Sequence, residues 1–92
     1  MTKVKFKLFA GFRLAAKNKE LDVVSSGKTV GDAIDTLKTE YPDLGNLLFQ
    51  DGHLKQYVNV LHNGQTLRGA NSLGTIIKDG DEIALFPPVS GG

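Results

Sequence analysis

The sequence predicts an α+β domain: a mixed four- to five-stranded sheet packed on one main helix. Three observations carry this. Val4, Phe6 and Leu8 alternate with Lys3, Lys5 and Lys7, the period of two of a half-buried strand. Val30, Ala33, Ile34, Leu37 and Tyr41 fall on one stripe of a 3.6-residue repeat, the pattern of an amphipathic helix. Asn63-Gly64 stands between two short strand-like runs, the strongest short-range hairpin signal. A single amphipathic helix must bury its stripe, and a sheet is the partner this chain can supply. The long crossover through the helix suits parallel pairing inside that sheet, because a hairpin cannot join parallel strands.

Taken in order, the first strand carries its lysines outward, and Phe9 falls on the lysine face. Ala10-Gly11 loosens the strand, and 12–19 reads as a basic loop. Leu21 and Val23 mark a second strand over 20–24, ended by Ser25-Ser26-Gly27-Lys28. The helix start is well signalled: Thr29 is a good N-cap and Asp32 completes a capping-box-like pair with an acid in the first turn. Pro42 stops the helix and pushes Tyr41 away from helical angles. Leu44, Leu47, Leu48 and Phe49 are expected as an irregular apolar cover over one end of the core, followed by a turn at Asp51-Gly52. Tyr57 to His62 reads as the third strand and Gln65 to Arg68 as the fourth. Leu73, Ile76 and Ile77 lie in a connection with room for a helical turn. Asp79-Gly80 turns the chain into a last strand, Asp81 to Phe86. The expected division is a folded domain over 1–88 and a free tail over 89–92.

Composition excludes several functions. The chain has 92 residues, enough for one modest core and too few for a deep active-site cavity. Net charge is +1, so no global field favours nucleic acid or membrane. With no cysteine there is no disulfide, thiolate zinc site, iron–sulfur ligation or cysteine nucleophile. The alternating N-terminus is neither a signal peptide nor a membrane span, and a cytoplasmic monomer is the default expectation.

The C-terminal string Phe86-Pro87-Pro88-Val89-Ser90-Gly91-Gly92 concentrates the chemistry. Two prolines cannot continue a strand ladder, so the strand ends at Phe86 and the residues beyond are released. Val89, Ser90, Gly91 and Gly92 are expected as an extended arm reaching about 13 Å past Pro88. Glycines without Cβ can thread a narrow channel and present an uncrowded carboxylate. A carboxylate is a poor electrophile, and joining it to sulfur or an amine needs activation to a mixed anhydride. The chain has neither GxxxxGK[ST] nor GxGxxG, so an ATP-using partner must supply that step. Because the sequence stops at Gly92, no maturation protease is expected.

Val58-Asn59-Val60-Leu61-His62-Asn63-Gly64 and Lys78-Asp79-Gly80-Asp81-Glu82-Ile83-Ala84-Leu85-Phe86, running into the Gly-Gly end, resemble the ubiquitin-like β-grasp carriers. More narrowly, the chain is similar to the small archaeal modifier proteins and to the small subunit of molybdopterin synthase. Lys7-Leu8-Phe9-Ala10 and Thr29-Val30-Gly31-Asp32-Ala33 fit the same family, with insertions tolerated around 12–19 and 45–56. The resemblance implies a β-grasp fold and a non-enzymatic carrier that binds no cofactor. It implies that the Gly92 carboxylate is adenylated by an E1-like enzyme using ATP. The acyl group then passes to lysines of target proteins, or becomes a thiocarboxylate for sulfur transfer. Implied partners are the E1-like enzyme, target-protein lysines and the molybdopterin synthase large subunit. The Val60-to-Gly64 stretch and the tail look closer to the modifiers, so conjugation leads, with a dedicated sulfur carrier for molybdopterin biosynthesis as the alternative. A non-covalent β-grasp binding module is the second alternative; +1 net charge and no aromatic platform beyond Phe9 weigh against nucleic acid as its ligand.

Strand alternation gives the face such partners would read. Ile83, Leu85, Val58 and Val60 should point inward, leaving Phe9, Leu61, Ala84 and Phe86 as an outward apolar patch that continues into Pro87. Such a patch beside the working tail is the expected docking surface. His62, on the inward register, is expected as a hydrogen-bonded structural residue. His53 is isolated, and two separated histidines make no metal site. Asp79, Asp81 and Glu82 read as a solvated turn rather than acid–base machinery. Lys3, Lys5, Lys7, Arg13, Lys17 and Lys19 read as a solvated strand face followed by a charged loop, with partner contact or conjugation as the alternative.

Overall fold

A computed structural model of the chain describes residues 1–55, 58–67 and 72–87. Its elements are β1 (Thr2–Leu8), α1 (Gly11–Ala16), β2 (Glu20–Ser25), α2 (Val30–Glu40), α3 (Pro42–Leu48), β3 (Phe49–Gln50), β4 (His53–Leu54), β5 (Asn59–His62), β6 (Gln65–Leu67) and β7 (Asp81–Phe86), with a 3₁₀ turn over Ser72–Gly74. Five strands form one mixed sheet in the order β2-β1-β7-β5-β6, and β3-β4 is a small separate ribbon. β1 and β7 lie parallel at the centre, in register from Val4↔Asp81 to Leu8↔Leu85. The other sheet pairs are antiparallel. This is the expected α+β, β-grasp arrangement.

One face of the sheet supplies Val4, Phe6, Leu8, Leu21, Val23, Val60, Ile83 and Leu85 to the core, and α2 answers with Val30, Ala33, Ile34 and Leu37. Phe6, Val23, Leu37, Ile83 and Leu85 are fully buried. Each such side chain contributes about 1.5–3 kcal/mol of transfer free energy. The start of α2 is fixed as expected. Thr29 Oγ1 accepts from the Asp32 amide at 3.1 Å, and Asp32 Oδ2 accepts from the Thr29 amide at 3.3 Å and the Lys28 amide at 3.1 Å. These bonds hold the Asp32 carboxyl below its ordinary range, the Thr29 hydroxyl first and the two amides after it.

The structure corrects four expectations. The loop expected over 12–19 begins as a helix, α1, and Phe12 is not part of a solvated loop but a core residue at 4% exposure. Pro42 does stop α2, but it also occupies the first turn of α3, where its missing N–H costs nothing. Leu44 and Leu48, one turn apart on α3, close the core, whereas Leu47 faces solvent at 41% exposure. Among the described residues the third strand runs Asn59–His62, with Val58 outside it; Tyr57 and Arg68, the expected ends of the third and fourth strands, lie outside the described residues. Asp51-Gly52 joins β3 to β4 in a hairpin, both residues at positive φ (54° and 79°). Asn63-Gly64 turns β5 into β6 in the same way, at 51° and 85°.

Candidate functional site

The outer face of the sheet carries the sequence-expected patch. Leu61 on β5 lies opposite Ala84 on β7, and Ala84 lies beside Lys7 on β1. One step further along β7, Phe86 stacks on Phe9, with ring centroids 4.2 Å apart and planes 12° from parallel. Phe9, Leu61, Ala84, Phe86 and Pro87 are each half-buried, so the patch is a partly covered apolar strip and not a set of projecting side chains. Around the strip, Lys7 Nζ lies 3.3 Å from Glu82 Oε1 and Lys5 Nζ 3.7 Å from Glu20 Oε1. These pairs are well exposed, so each contributes at most about 1 kcal/mol. Their effect is local: they neutralise Lys5 and Lys7 on the outer face of the sheet and give that face a polar rim.

The backbone around Phe9 is tightly constrained. Its carbonyl accepts from the Phe12 amide at 3.2 Å, closing a turn from β1 into α1. Ala10 takes φ 52° and ψ −126°, matching the first corner of a type II′ turn, where glycine is the favoured residue. Phe12, the far end of the same turn, is anchored in the core.

A polar clamp sits at the other end of β7. His62 Nε2 lies 2.8 Å from Asp81 Oδ2 with both side chains about 15% exposed. An ionised carboxylate can only accept, so Nε2 carries the proton. Asp81 Oδ2 also accepts from the Lys78 amide at 2.9 Å, and Asn63 Oδ1 accepts from the Glu82 amide at 2.9 Å. Partial burial pushes the Asp81 carboxyl upward. Bonds from His62, the Lys78 amide and Asn63, with the His62 charge, outweigh that and leave it below its ordinary range. Asp79 Oδ1 accepts from the Lys3 amide at 2.8 Å, tying the turn to β1. The stretch expected as a merely solvated turn is therefore an anchor for both central strands. His62 has the structural role expected of it. His53, on β4, is exposed. Among the described residues no group of three or more His, Asp or Glu side chains could hold a metal ion.

Geometry thus gathers Phe9, Leu61, Ala84 and Phe86 on one face, with Pro87 next in the chain. Val89, Ser90, Gly91 and Gly92, expected as the working tail, lie outside the described residues, as does Pro88. Sequence reasoning missed the Lys7–Glu82 and His62–Asp81 pairs. Both depend on long-range strand register, which no local pattern encodes. The Asn63-Gly64 hairpin, which sets where β5 turns, was the one available hint.

Several known proteins share this arrangement over nearly their full length. Small archaeal modifier protein 1 of Haloferax volcanii is 44% identical over 91 residues, covering 97% of this chain and 100% of that one. Its crystal structure matches with a TM-score of 0.86 at 43% identity, covering 98% of this chain and 99% of that one. Small archaeal modifier protein 3 of the same organism is 38% identical over 90 residues, covering 97% and 98%. The sulfur carrier protein CysO of Mycobacterium tuberculosis is 34% identical over 73 residues, 76% of this chain and 78% of that one. A CysO of Amycolatopsis orientalis, crystallised as a BexX/CysO complex, matches with a TM-score of 0.78 at 26% identity, covering 97% and 99%. The chain is homologous to small ubiquitin-like modifier proteins and to sulfur carrier proteins. Residues 6–92 match the ThiS family from the first strand through the terminal glycine, and the chain belongs to that family.

Proposed function

We propose that this protein is an acyl carrier of the ubiquitin-like modifier type, with its reacting group at the Gly92 carboxylate. The observation that carries this is the family match, which runs to the last residue and so includes Gly91-Gly92. Similarity over the whole length of a small archaeal modifier protein supports it. In the activation step a Gly92 carboxylate oxygen attacks the α-phosphorus of ATP held by an E1-like partner. Pyrophosphate leaves, and the product is a Gly92 acyl adenylate. A target lysine Nζ then attacks the acyl carbon, the acyl C–O bond to AMP breaks with its electrons going to AMP, and the lysine proton passes to a base on the partner. The residual bond is an isopeptide. The Phe9, Leu61, Ala84, Phe86 and Pro87 strip is the proposed docking surface for the activating enzyme, close to where the chain leaves β7.

A second reading is favoured by one specific observation, the similarity to sulfur carrier protein CysO. There a hydrosulfide equivalent from a sulfur donor displaces AMP, leaving a thiocarboxylate at Gly92 to be handed to an acceptor enzyme such as a molybdopterin synthase large subunit. Both readings share activation and differ in the nucleophile. Cells producing a tagged form separate them. Higher-mass conjugates that vanish when Gly91-Gly92 is deleted support the modifier reading. A thiocarboxylate form with no conjugates supports the sulfur carrier.

A further inference from the structure

The parallel ladder between β1 and β7 ends at Leu8↔Leu85. One register step further would pair residue 9 with residue 86, but β1 turns away there through Ala10. What joins the two strands at that step is the ring stack of Phe9 on Phe86. On its other side Phe86 is held by β5, opposite Asn59. We propose that this stack is a positioning clasp at the root of the reacting tail, and that Phe9 is a positioning residue for activation rather than only a contact for the partner. The proposal rests on the carrier reading above.

Lever length makes the clasp matter. Pro87 has a fixed φ and no N–H, so the chain's heading beyond β7 is set by Phe86. Six residues from 87 to 92, drawn out in a partner's channel, span at most about 20 Å. Movement of Phe86 passes directly to Pro87, whose ring fixes the next φ, so an unclasped strand end starts that span in many more directions. Misplacement of about 1 Å is enough to slow a displacement about a hundredfold. A docked but unclasped strand would therefore bind and still react poorly.

The local strain fits the same role. Holding a residue with a Cβ at the Ala10 angles is strained. The turn it makes carries the chain into α1 while Phe12 is locked in the core and Phe9 stays over Phe86. A stacked aromatic pair is favourable beyond the area it buries. That surplus belongs to ring geometry, which leucine at position 9 would lose while keeping most of the apolar surface.

The test compares wild type, Phe9→Leu and Phe9→Tyr as substrates of the cognate adenylating enzyme, by ATP–pyrophosphate exchange against carrier concentration. Heteronuclear NOE of the Phe86 amide is measured on the free proteins. Expected for Phe9→Leu is a fall in kcat of about tenfold or more, larger than any rise in KM, and a lowered NOE at Phe86. Phe9→Tyr, which keeps the stack, should restore both. Raised KM with wild-type kcat for Phe9→Leu would overturn the proposal and leave Phe9 a simple contact. Equal impairment of both variants would overturn it too. Should Phe9→Leu be unfolded by thermal melting, Phe9→Met takes its place. Absence of exchange with wild type defeats the carrier reading instead; the NOE then decides the clasp alone, and an unchanged Phe86 value in the leucine variant would refute it.

Discussion

Asp81 shows how much of the domain's stability is gathered at single residues. Its carboxylate serves the His62 imidazole on β5 and the Lys78 amide of the preceding turn at once. The depressed pKa of such a group contributes stability that is fully present above the unfolded value, 3.8, and is lost as pH falls through the lower folded value. Asp32 acts in the same direction at the start of α2. Denaturant midpoints measured from pH 6 down to pH 2 should therefore fall most steeply at about pH 4 and below. Asp81→Asn should flatten that fall while lowering the midpoint at neutral pH. An acid limb identical to wild type would show that Asp81 carries none of the dependence.

At the scale of elements, helix α2 is held by its cap and by its packing on α3. Thr29→Ala removes the Asp32 amide's acceptor and should cost about 1 kcal/mol, read as a lower urea midpoint with unchanged slope. Gly45 in α3 lies against Lys38 of α2: a Cβ there would sit 2.6 Å from Lys38 Cγ and 3.3 Å from its Cβ. Alanine ordinarily improves a helix by about 1 kcal/mol over glycine. Here the clash falls on the near end of the lysine, which cannot swing clear without leaving Phe49, whose ring centroid is 4.5 Å from Lys38 Nζ. Overpacking of this kind costs about 1–3 kcal/mol, so Gly45→Ala should destabilise on balance. A raised melting temperature would contradict the packing described for α2 and α3.

These elements also show what the sequence could convey. The β1, β2 and β7 strands and the α2 helix announce themselves by period and cap, and their core residues are those that the alternation names. Pro42 reads locally as a terminator because proline ends helices, yet the same proline suits a first turn, and the spacing of Leu44 and Leu48 is that of one helical face. Helix α1 is six residues long with no side-chain cap, so local signal is nearly absent and Phe12 finds the core through tertiary packing. Of the candidate site, the outward positions of Phe9, Leu61, Ala84 and Phe86 followed from alternation alone. The Phe9–Phe86 stack did not, because it depends on the β1–β7 parallel register.

On the proposed function, recognition and chemistry lie on separate parts of the molecule. One small core holds a mixed sheet whose outer face carries a half-buried apolar strip with a polar rim, and β7 at the sheet's centre runs to Phe86. No helix among the described residues is long and apolar enough to cross a membrane. The central claim is that the Gly92 carboxylate is the reacting group and that a partner activates it. Intact-mass spectrometry of the protein after incubation with its cognate E1-like enzyme, ATP and a sulfur source tests this most directly. The account predicts a Gly92 adenylate, or the thiocarboxylate heavier by one oxygen-to-sulfur exchange that forms when sulfur displaces AMP, localised to Gly92 and absent when Gly91-Gly92 is deleted or ATP is omitted. An unmodified mass, under conditions in which a control carrier is converted, would contradict it.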